Sequence, residues 1–276
     1  MIPFNFKYYR PENIDEASNI FNELLEEGMD VIIYSGGTEI VTNSRKHLIH
    51  PDAVIDIKAI PEVMAQEDNG KELIFGAGLS ITDICKMDLF PLLSEMSSKI
   101  ADKTVRNQLT LGGNICGRLP YREAIVPFLM GNTIAVIATT EGLKEVALKD
   151  VFKFRLPLAK GEFLVQLKID KDILERSYKT IRKEKVTDVD YPIIHMALTE
   201  NKGSLSLGVA GLLAFPFCND GVNEILNKDL SVDEKTNEVI ENLPSAIKND
   251  ILASKEYRGH LFKTSLKELL NGMGGQ

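Results

Sequence analysis

Two short segments constrain this chain more than any other feature. Ser35-Gly36-Gly37-Thr38-Glu39 and Thr110-Leu111-Gly112-Gly113-Asn114 each set a pair of glycines beside a hydroxyl residue. A glycine has no Cβ, so the backbone can take positive φ there and another atom can come close. Successive N–H groups in such a turn can converge on one anion, and a flanking hydroxyl adds a donor. One such turn is weak evidence. Two of them, far apart in the chain, predict a fold that grips a long diphosphate ligand from two sides.

Composition narrows the alternatives. A chain of 276 residues suits one large domain or two small ones. Its 44% hydrophobic and 26% charged residues are ordinary for a globular protein. The net charge of -8 argues against nucleic acid as the main partner, which needs a basic face. No apolar run approaches the roughly 18 residues that span a bilayer. The first residues, Met1 to Lys7, lack the apolar core of a signal peptide, so a cytoplasmic location is expected. Cys85, Cys116 and Cys218 are too scattered for a disulfide framework or a metal site. His47 and His50, beside Lys46, read as a solvated loop. Redox chemistry in this chain must therefore come from an organic cofactor.

The periodicity is that of an α/β beginning and an α+β end. Ile14, Ala17, Phe21, Leu24 and Leu25 predict a helix over 12–28, stopped by Gly28. Val31-Ile32-Ile33-Tyr34 predicts a buried strand running into the first glycine pair, and Val54 to Ile57 and Leu73 to Phe75 predict two more. Ligands collect at strand ends in such an arrangement. Ser80-Ile81-Thr82-Asp83 resembles a capping box that opens a helix. Helices over 90–101 and 124–130 and a strand over 134–138 follow. Phe163 to Ile169 and Ser204 to Ala214 predict antiparallel strands. The last 50 or so residues read as charged helix, with Leu261, Leu266, Leu269 and Leu270 as an apolar stripe expected to pack on the chain's own sheet.

The motifs in order resemble a known family, the flavin-binding (medium) subunit of the molybdenum hydroxylases, the group of xanthine dehydrogenase, carbon monoxide dehydrogenase and nicotinate dehydrogenase. Ile33-Tyr34-Ser35-Gly36-Gly37-Thr38-Glu39-Ile40 is similar to its first FAD loop. Val105 to Ile115, through Thr110-Leu111-Gly112-Gly113-Asn114, is similar to its most diagnostic stretch. Asp190-Tyr191-Pro192 and Tyr257-Arg258-Gly259-His260-Leu261 resemble its C-terminal motifs. The resemblance implies an α+β protein: a vanillyl-alcohol-oxidase-type FAD-binding domain over 1–172, in parts of about 1–55 and 56–172, then a C-terminal domain over 173–276 with a three-stranded sheet. It implies FAD as cofactor and an oxidoreductase role without a catalytic acid, base or metal ligand in this chain. The expected partners are a subunit with two 2Fe–2S clusters and a subunit with a molybdenum cofactor, with electrons passing through FAD to NAD or another acceptor. The lack of a cluster-type cysteine pattern agrees with that division of labour.

For the site, the resemblance implies that Ile33 to Ile40 and Thr110, Gly112, Gly113 and Asn114 contact FAD, with Ser35, Thr38 and Thr110 donating to the diphosphate. Glu39 is a poor neighbour for a diphosphate and is expected to turn away or to cap a helix beginning at Ile40. The family's segment after the second loop is replaced here by Cys116-Gly117-Arg118-Leu119-Pro120-Tyr121-Arg122-Glu123. Glu123 stands at about the place of an aspartate that binds the cofactor's sugar hydroxyls. Lys179 resembles a lysine near the flavin ring, or is a surface lysine on an alternating strand. Tyr191 resembles an aromatic near the flavin ring, or is a strand-entry tyrosine. Two alternatives share the fold: a stand-alone FAD oxidoreductase, and a cofactor-free scaffold, for which the altered segment 116–123 is the motive.

Overall fold

The computed structural model describes residues 2–185 and 190–273. The chain divides into two compact units. The first combines the chain up to Leu89 with Lys103–Gly117 and Thr133–Asp170; the second combines Phe90–Asp102 and Arg118–Asn132 with the chain from Lys171 onward. Residues 90–102 and 118–132, which the sequence assigns to the first domain, thus belong to the second unit. Most of their apolar side chains are buried there, among them Leu92, Leu93, Met96, Val126 and Phe128. Phe90 and Phe128 meet edge to face with centroids 6.1 Å apart. Gly208 of the second unit's sheet lies so close to Val126 and Met130 that a Cβ would fall 2.6 Å from atoms of both.

The first unit holds two sheets. One is parallel, in the order Lys7–Tyr9, Ala53–Asp56, Val31–Tyr34. Its middle strand is buried at every residue, as a central parallel strand must be. The helix Ile14–Glu26 leads into Val31–Tyr34; Asn13 caps it by accepting from the Glu16 amide, and Ile14, Ala17, Phe21 and Leu24 are buried along one side. Being parallel, the three strands present their carboxyl ends at one edge. The strand Lys7–Tyr9 escapes a sequence reading because three residues cannot show alternation.

The other sheet is antiparallel, in the order Gln66–Asp68, Glu72–Gly76, Phe163–Asp170, Thr133–Thr139, Gly142–Ala147. Gly142–Ala147 is a largely exposed edge strand with little apolar pattern to betray it. The helix Ile81–Met87 starts as the sequence predicts, with the Ser80 hydroxyl accepting from the Asp83 amide.

The second unit is built on an antiparallel sheet with three full strands, Ser177–Glu184, Pro192–Asn201 and Ser204–Ala210, extended by the two-residue edge Phe217–Cys218. Ile194, Met196 and Leu198 point to one face at the period of two, and join Phe262, Leu266, Leu269 and Leu270 of the helix Lys255–Met273 in one core; Leu261 packs at its rim. The leucine stripe therefore packs on the chain's own sheet. Among the described residues no helix is long and apolar enough to cross a membrane.

Candidate cofactor site

The first glycine pair leaves the carboxyl end of the strand Val31–Tyr34 and enters the helix Thr38–Arg45. Gly37 caps that helix at φ 71°, a left-handed conformation that glycine adopts without strain. The helix thus begins at Thr38, not at Ile40, and Glu39 sits in its first turn. The amides of Gly36, Gly37 and Thr38 have no hydrogen-bond partner among the described residues. They lie at the positive end of a helix, where unpaired N–H groups and the peptide dipoles together favour an anion. Ser35 Oγ is shielded from solvent and also has no partner there. Ile33 packs against the apolar core, so its side chain serves the fold. Tyr34 and Ile40 are partly buried.

The second pair is arranged differently from the sequence expectation. Gly112 and Gly113 are the second and third residues of a short helix, Leu111–Cys116, capped by Thr110. Neither has positive φ. The amides of this loop are already used: Leu111 donates to Leu79 O at 2.9 Å, Gly112 to Ala77 O at 2.7 Å and Asn114 to Thr110 O at 2.9 Å. The Gly113 amide donates to Thr110 Oγ1 at 3.2 Å. Thr110 is 2% exposed, so its hydroxyl is first a helix cap. Glycine is needed at 112 because a Cβ there would fall 2.8 Å from Ala77 Cβ and 2.9 Å from its carbonyl oxygen. The second loop is a packed support and not a second nest of open amides.

The two loops touch. A Cβ on Gly36 would fall 1.9 Å from the Gln108 carbonyl oxygen and 3.1 Å from the Thr110 nitrogen. Glu39 reaches the same neighbourhood: a Cβ on Gly117 would lie 2.6 Å from Glu39 Oε2. Its carboxylate is thus directed to the end of the second loop's helix.

Glu123, Lys179 and Tyr191 fall in the second unit. Glu123 is 3% exposed. Its Oε1 accepts from Arg182 Nε at 3.0 Å and lies 2.7 Å from His195 Nδ1. Glu123 is thus the acceptor at the centre of a buried ionic cluster, with Oε1 engaged by two internal donors. Burial pushes the His195 pKa down, against the opposing pull of Glu123. His195 is therefore neutral and donates from Nδ1. Lys179 is exposed and donates to the Gly272 carbonyl at the end of the last helix. Tyr191 is 48% exposed and stacks on Tyr121, with ring centroids 4.6 Å apart and planes 11° apart. Lys248 Nζ stands 4.1 Å from the Tyr121 centroid. The residues missed from the sequence are Asp56 and Lys58, which brace the first loop, and, in the second unit, Arg182 and His195, which hold Glu123.

The family model of the FAD binding domain in molybdopterin dehydrogenase matches residues 4–170. The chain belongs to that family. FAD is accordingly its cofactor, and the chain is a subunit-type oxidoreductase component. The glyceraldehyde dehydrogenase medium chain of Sulfolobus acidocaldarius is 26% identical over 94% of this chain and 92% of its own length. The carbon monoxide dehydrogenase medium chain of Hydrogenophaga pseudoflava is 31% identical over 45% of this chain and 43% of its own. A solved structure of carbon monoxide dehydrogenase from the same organism superposes with a TM-score of 0.86, covering 98% of each chain at 20% identity, which shows a shared fold.

Proposed function

We propose that this chain is the FAD-bearing electron-transfer subunit of a molybdenum-containing hydroxylase in the cytoplasm. The observation that carries the reading is the joined pair of loops, with unpaired amides and an unpartnered Ser35 hydroxyl on the first and a rigid packed second loop behind it. Gly36, Gly37, Thr38 and Ser35 would hold the diphosphate. Thr110, Gly112, Gly113 and Asn114 would fix the shape of the loop they back. Lys179 and Tyr191 are proposed to face the ring system.

FAD supplies the capacity to accept electrons singly from iron–sulfur clusters and to deliver them as a pair to NAD or another acceptor. The protein's share is to bind, orient and shield. The partners proposed are a 2Fe–2S subunit and a molybdenum-cofactor subunit; the medium-chain names of the relatives support membership of an assembly of several chains. The test has two parts. The purified chain should show the visible flavin bands and should co-purify with both partner subunits from its native source. Alone, it should reduce its flavin with NADH, if NAD is the acceptor, and hydroxylate nothing. A colourless, folded chain that takes up no FAD, or substrate hydroxylation by the chain free of molybdenum and partners, would overturn the proposal.

A further inference from the structure

The parallel sheet brings three strand ends to the edge where the first glycine loop begins, and four side chains tie that edge together. Asp56 ends the middle strand and is 5% exposed. Tyr8, on the first strand, donates its hydroxyl to Asp56 Oδ2 at 2.8 Å. Lys58 donates Nζ to Asp56 Oδ1 at 2.7 Å and Oδ2 at 2.8 Å, and to the Ser35 carbonyl oxygen at 2.7 Å. The same ammonium stands 4.9 Å from the centroid of the Tyr34 ring. Tyr34 lies beneath Gly37, where a Cβ would fall 2.3 Å from its hydroxyl oxygen.

An ammonium has three protons to donate. Those of Lys58 are directed to two carboxylate oxygens and one carbonyl, all within the chain, so Lys58 acts on a ligand only through what it holds. The carbonyl it holds matters. In a trans peptide the C=O and the next N–H point in opposite directions in one plane, and no peptide in the described chain is cis. Drawing the Ser35 carbonyl toward Lys58 therefore turns the Gly36 N–H away from the sheet edge. That amide is one of the three without a partner.

We propose that Lys58 is a positioning residue for the diphosphate of FAD: by holding the Ser35 carbonyl and backing the Tyr34 ring, it aims the Gly36 amide and sets the height of Gly37. Asp56 and Tyr8 hold Lys58 in place. The inference rests on the reading that the first loop binds the diphosphate.

The test uses the full-length chain stripped of flavin, titrated with FAD and with ADP, which carries the diphosphate without the flavin ring. Lys58→Met keeps the stem and removes the donors. Its dissociation constants for both FAD and ADP should rise at least about tenfold, the scale of a lost charged hydrogen bond. Lys58→Arg, which restores charge and donors, should recover affinity to within about threefold of the parent. If Lys58→Met does not fold, Lys58→Gln, which keeps two neutral donors and loses the charge, replaces it and should show a smaller loss of the same kind. A parent chain that binds neither FAD nor ADP would remove the site reading itself. A parent that binds both, beside a folded Lys58→Met or Lys58→Gln variant with unchanged constants, would overturn the positioning role alone.

Discussion

At the scale of single residues, the four loop glycines serve three different needs. Gly37 is left-handed and covered by Tyr34; Gly36 and Gly112 admit other backbone at distances that no Cβ allows; Gly113 is the mildest case, with only the Thr110 hydroxyl, 2.9 Å away, near its Cβ position. A bulky substitution at any of the first three would disturb the fold before it disturbed a ligand. Glu123 shows the same priority of packing over ligand contact. Its removal leaves the buried His195 Nδ1 unpaired, while Arg182 keeps Glu184 and the Asp190 carbonyl, and Glu123→Ala should lower stability by about 1–3 kcal/mol, measured by urea unfolding of the full chain. A variant that kept the parent's urea midpoint and lost only FAD affinity would return Glu123 to the sugar-binding role that its place in the sequence suggests.

At the scale of elements, the two C-terminal motifs turn out to be one device. Arg258, on the helix Lys255–Met273, is fully buried and donates to the Ile193 carbonyl at 2.6 Å and to the Gly211 carbonyl at 2.8 Å. It also donates to Asp250 Oδ1 at 2.6 Å. It thereby pins the start of the strand Pro192–Asn201, next to Tyr191, to the glycine corner that follows the neighbouring strand. Gly211 has φ 84°, and a Cβ there would fall 2.8 Å from the Ile193 carbonyl oxygen. Arg258→Ala leaves two buried carbonyls without this donor, while Asp250 keeps Lys248 and two backbone amides, and it should cost about 2–4 kcal/mol. Amide exchange should quicken first along Pro192–Asn201. Uniform exchange across the second unit's sheet, with unchanged stability, would mean that the helix needs no such anchor.

At the scale of the whole molecule, the buried His195 and the partly buried Asp250 shape the response to acid. Burial lowers the His195 pKa below its ordinary 6.5. The unfolded chain then binds a proton that the folded chain refuses, so stability is complete above pH 6.5 and declines as pH falls below it. Asp250 acts further down. Burial pushes its pKa up, but the hydrogen bonds of Lys248 and Arg258 outweigh this and hold it well below the ordinary 3.8. Its contribution is present above pH 3.8 and is lost in stronger acid. Unfolding free energies from urea titrations between pH 8 and pH 4 should therefore fall below pH 6.5 with a slope of up to about 1.4 kcal/mol per pH unit from His195. His195→Gln should flatten that part of the profile. An equal slope in the variant would assign it to another group.

The amino-acid sequence by itself determined the elements with long, regular patterns and the family. The helix Ile14–Glu26, the strand Val31–Tyr34, the Ser80 cap and the leucine stripe of Lys255–Met273 each carry their signal within a few neighbouring residues. So do the two glycine pairs, whose contiguous motifs point to FAD. Tertiary structure decided what those motifs do. The second loop's amides are used by Ala77 and Leu79, Gly36 is pressed against Gln108, Lys58 reaches back to Ser35, and Glu123 faces Arg182 and His195. Packing also moved 90–102 and 118–132 into the second unit. In every case the partner lies far along the chain, and the direction of a hydrogen bond or the depth of a contact leaves no periodic trace in sequence.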